Sequence, residues 1–211
     1  MKFLTTFFIL AAALSAAPLT QVKLVNAGSP SVVVPSVTVD GTTKYGVYIG
    51  PYTLSINGQN VAGLCIDFFD DSNVGDKWSA YTTAVGSSNL SNTLHPTYGQ
   101  EYEEEAYIYS QIIKPGSDRK DLQIAAWDIM AYGITNSSYQ NLIHDNSDID
   151  AALSNYNKIN LSGFEIITDT VANCDQEFMV ATPEPASFLL LGAGLLIAAF
   201  FGLRHRHLTA V

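Results

Sequence analysis

The stretch YTLSINGQNVAGLCIDFF, residues 52 to 69, decides how the chain reads. Apolar residues alternate with polar or small ones on either side of Asn57-Gly58. That dipeptide accepts the two positive φ values of a tight hairpin turn, so the flanking segments are expected to pair as antiparallel strands with Cys65 on the second. Working outward, SVVVPSVTV (31–39) is β-branched and broken by Pro35, which marks an edge strand. On the other side, the acidic DDSNVGD (70–76) turns the chain out of the sheet, and KWSAYTTAV (77–85) returns as another strand. Further on, GFEIITDTV (163–171) and QEFMVA (176–181) have strand character.

The middle of the chain changes period. In GQEYEEEAYIYSQII (99–113), Tyr102, Ala106, Tyr109 and Ile113 recur at helical spacing, and Pro115-Gly116 ends the run. Ser117 or Asp118 then caps a second helix that Gly133 stops, with an apolar stripe of Leu122, Ala125, Ala126, Ile129 and Met130. DIDAALSNY (148–156) reads as a third, shorter helix. The expected fold is α+β: a β-sandwich or small β-barrel with a helical excursion between strands. Glu103 to Glu105 are expected on a solvated helix face near its start, where negative charge is favoured.

Both ends read as targeting segments. Lys2 precedes an apolar run from Phe3 to about Ala17, the layout of a secretory signal peptide. Small residues offer cleavage after Ala16 or after Ala27; the later boundary makes residues 1–27 the leader and 28–182 the extracytoplasmic domain. At the other end, residues 186–203 carry no charge and are just long enough for a transmembrane helix. Arg204 and Arg206 follow it, which favours a cytoplasmic tail and an external domain. Pro183-Glu184-Pro185, a hydrophobic span and a basic cluster, in that order, resemble the PEP-CTERM sorting signal of Gram-negative bacteria. The resemblance covers residues 183–211. It implies export, membrane anchoring before processing by an exosortase, and delivery to the cell surface or extracellular matrix, with signal peptidase as the other export partner.

The whole chain has 20 acidic and 10 basic residues, and the span 28–182 keeps 19 and 6 of them. Such a surface excludes nucleic acid as a partner. Asp67, Asp70, Asp71, Asn73 and Asp76 offer oxygen ligands to Ca²⁺ but do not match the EF-hand loop. No cofactor is expected, and no nucleophile elbow, zinc-binding helix motif or phosphate loop points to an enzyme. Trp78 and Trp127 read as packing residues, while KYGVYIGPY (44–52) offers tyrosines to a binding face.

Cys65 has three readings. It can pair with Cys174, the only other cysteine, as two cysteines in an exported chain suggest. It can be a buried free thiol acting as a small hydrophobe. The third reading comes from Gln123, which shares a helix face with Trp127 four residues on. Leu64-Cys65 and Leu122-Gln123-Ile124-Ala125-Ala126-Trp127 together resemble the thioester domains of bacterial surface adhesins, with Ala126 where a bulkier aliphatic is usual. The resemblance spans about residues 45 to 130. It implies a Cys65–Gln123 thioester that captures a surface amine or hydroxyl, and so a role in adhesion or matrix attachment. No general base separates itself from His95, His144 and the carboxylates. The alternative function is a noncovalent structural or carbohydrate-binding surface domain stapled by a Cys65–Cys174 disulfide.

Overall fold

The computed structural model describes residues 19–28, 33–134, 147–171 and 175–182. Six strands close into an antiparallel barrel: β1 (Thr20–Asn26), β4 (Tyr52–Ile56), β5 (Gln59–Cys65), β6 (Lys77–Ala84), β7 (Phe164–Asp169) and β8 (Phe178–Ala181). Their order around the barrel is β1-β4-β5-β8-β7-β6. Two further strands, β2 (Val33–Val39) and β3 (Thr42–Tyr48), pair only with each other. Of the two sheet architectures expected, the barrel is the one that forms.

The hairpin at the centre of the sequence reading is present. Ile56 pairs with Gln59 across a turn in which Asn57 and Gly58 have φ of 48° and 86°. β5 then pairs with β8 on its other edge, Leu64 opposite Met179 and Cys65 opposite Phe178. Side chains along a strand alternate faces, and here both faces are covered. Leu64, Ile66, Ile166 and Met179 pack in a core shared with the helices, whereas Cys65, Ile167, Phe178 and Val180 pack in a second core shared with Leu24, Leu54 and Trp78. Burial on both sides suits the adjacent apolar residues Leu64 and Cys65 of β5, Ile166 and Ile167 of β7, and Phe178 to Val180 of β8.

The helices are α1 (Gly99–Ile112), α2 (Arg119–Tyr132) and α3 (Ser147–Asn155). Asp118 caps α2, accepting from the N–H groups of Lys120 and Asp121, and Gly133 closes it in the left-handed region at φ 60°. The expected stripe of α2 faces the helical core. A second row, Ile124 and Trp127, faces the other core, so α2 bridges the two.

Three expectations need correction or restriction. The run Glu103–Glu105 is not a solvated face: Glu104 and Glu105 are fully buried, at 0% exposure. Consecutive helical residues point about 100° apart, and α1 packs against α2, α3 and β8, so adjacent glutamates cannot all face water. Secondly, the described fold includes a strand ahead of residue 28. β1 occupies 20–26, pairs with both β4 and β6, and buries Leu24 completely. Thirdly, the leader before residue 19, the apolar span 186–203, Arg204 and Arg206 lie outside the described residues. Among the described residues no helix is long and apolar enough to cross a membrane.

Candidate functional site

β5 and α2 meet at Cys65 and Gln123, and both side chains are fully buried. Strand alternation turns Cys65 away from the helical core. The helical period places Gln123 beside Ile124 and one turn before Trp127, on the row of α2 that reaches the same core. The Gln123 amide is satisfied at both ends. Nε2 donates to the main-chain carbonyl of Cys65 at 2.6 Å, and Oε1 accepts from the main-chain N–H of Gly50 at 3.3 Å. Gly50 is required to be small, since a Cβ there would stand 2.9 Å from Gln123 Oε1.

The thiol is free. Its Sγ–H donates to the carbonyl of Asp67 at 3.0 Å, which also accepts from Gln176 Nε2 at 3.1 Å. Burial above all, then the charge of Asp67, pushes the Cys65 thiol well above its ordinary pKa. The indole of Trp127 and the more distant charge of Lys44 oppose only part of that rise. The resting thiol is therefore protonated at neutral pH, and reactivity would have to come from placement rather than from a standing thiolate. Cys174 lies outside the described residues.

A cavity of about 610 Å³ is lined in part by Lys44, Tyr45, Tyr48, Tyr52, Phe68 and Trp127, and neither Cys65 nor Gln123 borders it. Tyr52 is buried and donates its hydroxyl to the carbonyl of Tyr48 at 2.7 Å. Its pKa is raised by burial and then by the neighbouring Cys65, and the residue also lines the cavity. Phe68 and Trp127 lie against each other with ring centroids 5.1 Å apart. Trp78 is 6% exposed and Trp127 1%, in keeping with packing roles. Of the β3 tyrosines, Tyr45 is 80% exposed and Tyr48 46%.

The acidic turn does local structural work. Asp67 Oδ1 accepts from the N–H groups of Phe69 and Asp70, and Lys44 Nζ bonds the carbonyls of Phe69 and Asp70 and the carboxylate of Asp71. Asp67 Oδ2 is buried without a partner, and burial, the leading cause, raises that carboxyl to about 6. Among the described residues no group of His, Cys, Asp or Glu is arranged to hold a metal ion. His95 stacks on Tyr98 at 4.5 Å and lines a small void with Asp67, Phe68 and Trp127; burial lowers its pKa. His144 lies outside the described residues.

Sequence reasoning brought Cys65 and Gln123 together but missed Gly50, Tyr52 and the Asp67 carbonyl. Two of the missed groups are main-chain atoms, for which side-chain identity carries almost no signal.

β8 ends at Ala181, still paired with Phe164 of β7, and Pro183-Glu184-Pro185 follows one residue later. Thr182 is the last described residue, and the tripeptide lies outside the described residues. Residues 181–206 match the PEP-CTERM protein-sorting motif. The motif indicates an exported, envelope-sorted protein processed by an exosortase. Pro183, Glu184 and Pro185, and the basic Arg204 and Arg206, all fall inside the PEP-CTERM match. That match leaves the barrel and helices, and with them the thioester-domain resemblance, uncovered. No curated protein and no solved structure matches the chain.

Proposed function

We propose that this exported surface protein attaches covalently to its target through a Cys65–Gln123 thioester, in a role of adhesion or matrix attachment. The observation that carries the reading is the buried contact between two residues 58 positions apart, with the glutamine amide nitrogen bonded to the main-chain carbonyl of the cysteine. A thioester forms when the sulfur lone pair attacks Gln123 Cδ, the C–N bond breaks, and the thiol proton leaves with the nitrogen as ammonia. Neither group is reactive alone; holding them in contact supplies the effective concentration. The nitrogen that must leave is the atom held against Cys65, while the oxygen that stays is held by Gly50. An amine or hydroxyl of the target then attacks the thioester carbon, taking the acyl group of Gln123 and returning the thiol. The bond is made once, so this is attachment rather than turnover.

The layer of Tyr52, Phe68 and Trp127 suits such a group, because an unreacted thioester must be kept from water. The cavity beyond it provides an approach for a nucleophile.

Intact mass of the exported protein, with and without methylamine, tests the reading. A mass lower by ~17 Da that methylamine converts to an adduct is expected. An unshifted mass, with glutamine still present at position 123, would sink it. A second, noncovalent reading rests on the exposed rings of Tyr45 and Tyr48 along the cavity, which suit a carbohydrate. It predicts glycan binding that survives Cys65→Ala.

A further inference from the structure

Gly50 has no side chain, yet it makes the one hydrogen bond to the Gln123 carbonyl oxygen among the described residues. The geometry points to its main-chain N–H as the donor that stabilises the oxyanion when the Cys65–Gln123 thioester forms and when it is opened. This inference rests on the thioester reading and adds to it a catalytic group on the barrel.

When the sulfur lone pair adds to Gln123 Cδ, the carbonyl π electrons move onto Oε1 and the carbon becomes tetrahedral. The negative charge then sits on a buried atom, a costly state without a donor. When the tetrahedral state collapses, the electrons return from Oε1, the C–N bond breaks and ammonia departs with the thiol proton. Attack by an amine on the thioester runs through the same oxyanion, with sulfur leaving and taking up the amine's proton. One donor therefore serves both steps.

Three observations converge on Gly50. Its N–H already addresses Oε1 at 3.3 Å, somewhat long for a resting hydrogen bond. A donor that serves an oxyanion is placed for the charged oxygen rather than for the ground-state carbonyl, so a long resting contact that shortens on attack is the useful arrangement. The second observation is steric. A Cβ at residue 50 would stand 2.9 Å from Oε1 and 3.3 Å from the Tyr52 ring, so only glycine lets the backbone come this close. The third is the opposite anchor: Nε2 is held at 2.6 Å by the Cys65 carbonyl, which fixes the amide so that Oε1, not Nε2, faces Gly50. Gly50 lies in the short link between β3 and β4, follows Ile49, which is fully buried, and precedes the strand that carries Tyr52.

The test replaces Gly50 with glycolic acid in full-length chain made by reconstituted translation. This swaps the amide for an ester and removes the N–H without adding a Cβ. The rate of the ~17 Da loss is followed by intact mass, and formation about 10²- to 10³-fold slower than in wild type is expected. Equal rates would overturn the role of Gly50 while leaving the thioester in place. A wild type that never loses the mass would instead overturn the thioester reading beneath it.

A measurement on the unaltered protein covers the case in which the ester chain fails to fold. With ¹³C at Cδ of Gln123, the thioester carbonyl stretch should lie below that of an alkyl thioester carrying the same ¹³C label at its carbonyl in a non-hydrogen-bonding solvent. A stretch at the same frequency would show an oxygen without a donor and overturn the assignment.

Discussion

Gln123 Nε2 donates to the main-chain carbonyl of Cys65 at 2.6 Å, joining a helix to a barrel strand across 58 residues of sequence. The bond has energetic as well as chemical consequences, because both ends of the glutamine amide are buried.

Gln123→Ala leaves the Gly50 N–H and the Cys65 carbonyl without their partner. Each buried, unsatisfied group costs about 1–3 kcal/mol. Cys65→Ala removes one sulfur from a packed site, on the order of 1 kcal/mol. Urea unfolding should therefore rank Gln123→Ala as the less stable variant, with both folded in water. Equal midpoints would mean that the glutamine amide is not held as described.

Glu105 is fully buried, and among the described residues neither carboxylate oxygen has a hydrogen-bond partner. Burial, then the charges of Glu104 and Glu177, raises its pKa well above the ordinary value; Glu104 and Glu177 are themselves raised to about 7, chiefly by burial. These carboxyls bind protons more tightly when folded. Their contribution is thus fully present below the unfolded pKa near 4.5 and is lost as pH rises toward 7 and beyond. Unfolding midpoints measured from pH 4.5 to 8 should fall across that window. Glu105→Gln should flatten the fall and raise the midpoint at pH 8 relative to wild type. A midpoint that climbs steadily with pH would contradict the buried placement.

Cleavage of the leader after Ala27 would remove β1, a strand paired on both edges, and expose the two barrel strands it joins. Amino-terminal sequencing of the exported protein should accordingly place its start before Thr20, as cleavage after Ala16 would. A mature chain beginning at Gly28 would require the barrel to close without β1.

Lys44 bonds the Phe69 and Asp70 carbonyls and the Asp71 carboxylate from its place on β3, tying the β2–β3 hairpin across one side of the cavity. Asp71 is 81% exposed, so the ion pair itself adds at most about 1 kcal/mol. Under the proposed function, Lys44→Ala should leave the unfolding midpoint nearly unchanged and speed methylamine capture several-fold. An unchanged capture rate would show that the hairpin does not limit access.

Local signals carried much of the architecture. Asn57-Gly58 set the central hairpin because few residue pairs tolerate two positive φ values, and Asp118 and Gly133 bounded α2 because a helix end needs a cap and a left-handed stop. Cys65 and Gln123 stood out through their neighbours on strand and helix. The glutamates of α1 misled, because charge by itself argues for solvent and only the surroundings of a helix show which of its sides are covered.

By itself the sequence determined the hairpin, the helices and the sorting motif at the end of the chain, and it left three readings of Cys65 open. Each depends on residues near one another, or on a pattern that chemistry makes recognisable in one dimension. Only the tertiary structure decided that the sheet closes into a barrel including residues 20–26, that Glu104 and Glu105 lie inside, and that the main chain of Gly50 faces the Gln123 carbonyl. Closure, burial and main-chain contacts arise from segments far apart in sequence, and backbone atoms are the same at every residue, so no local pattern records them.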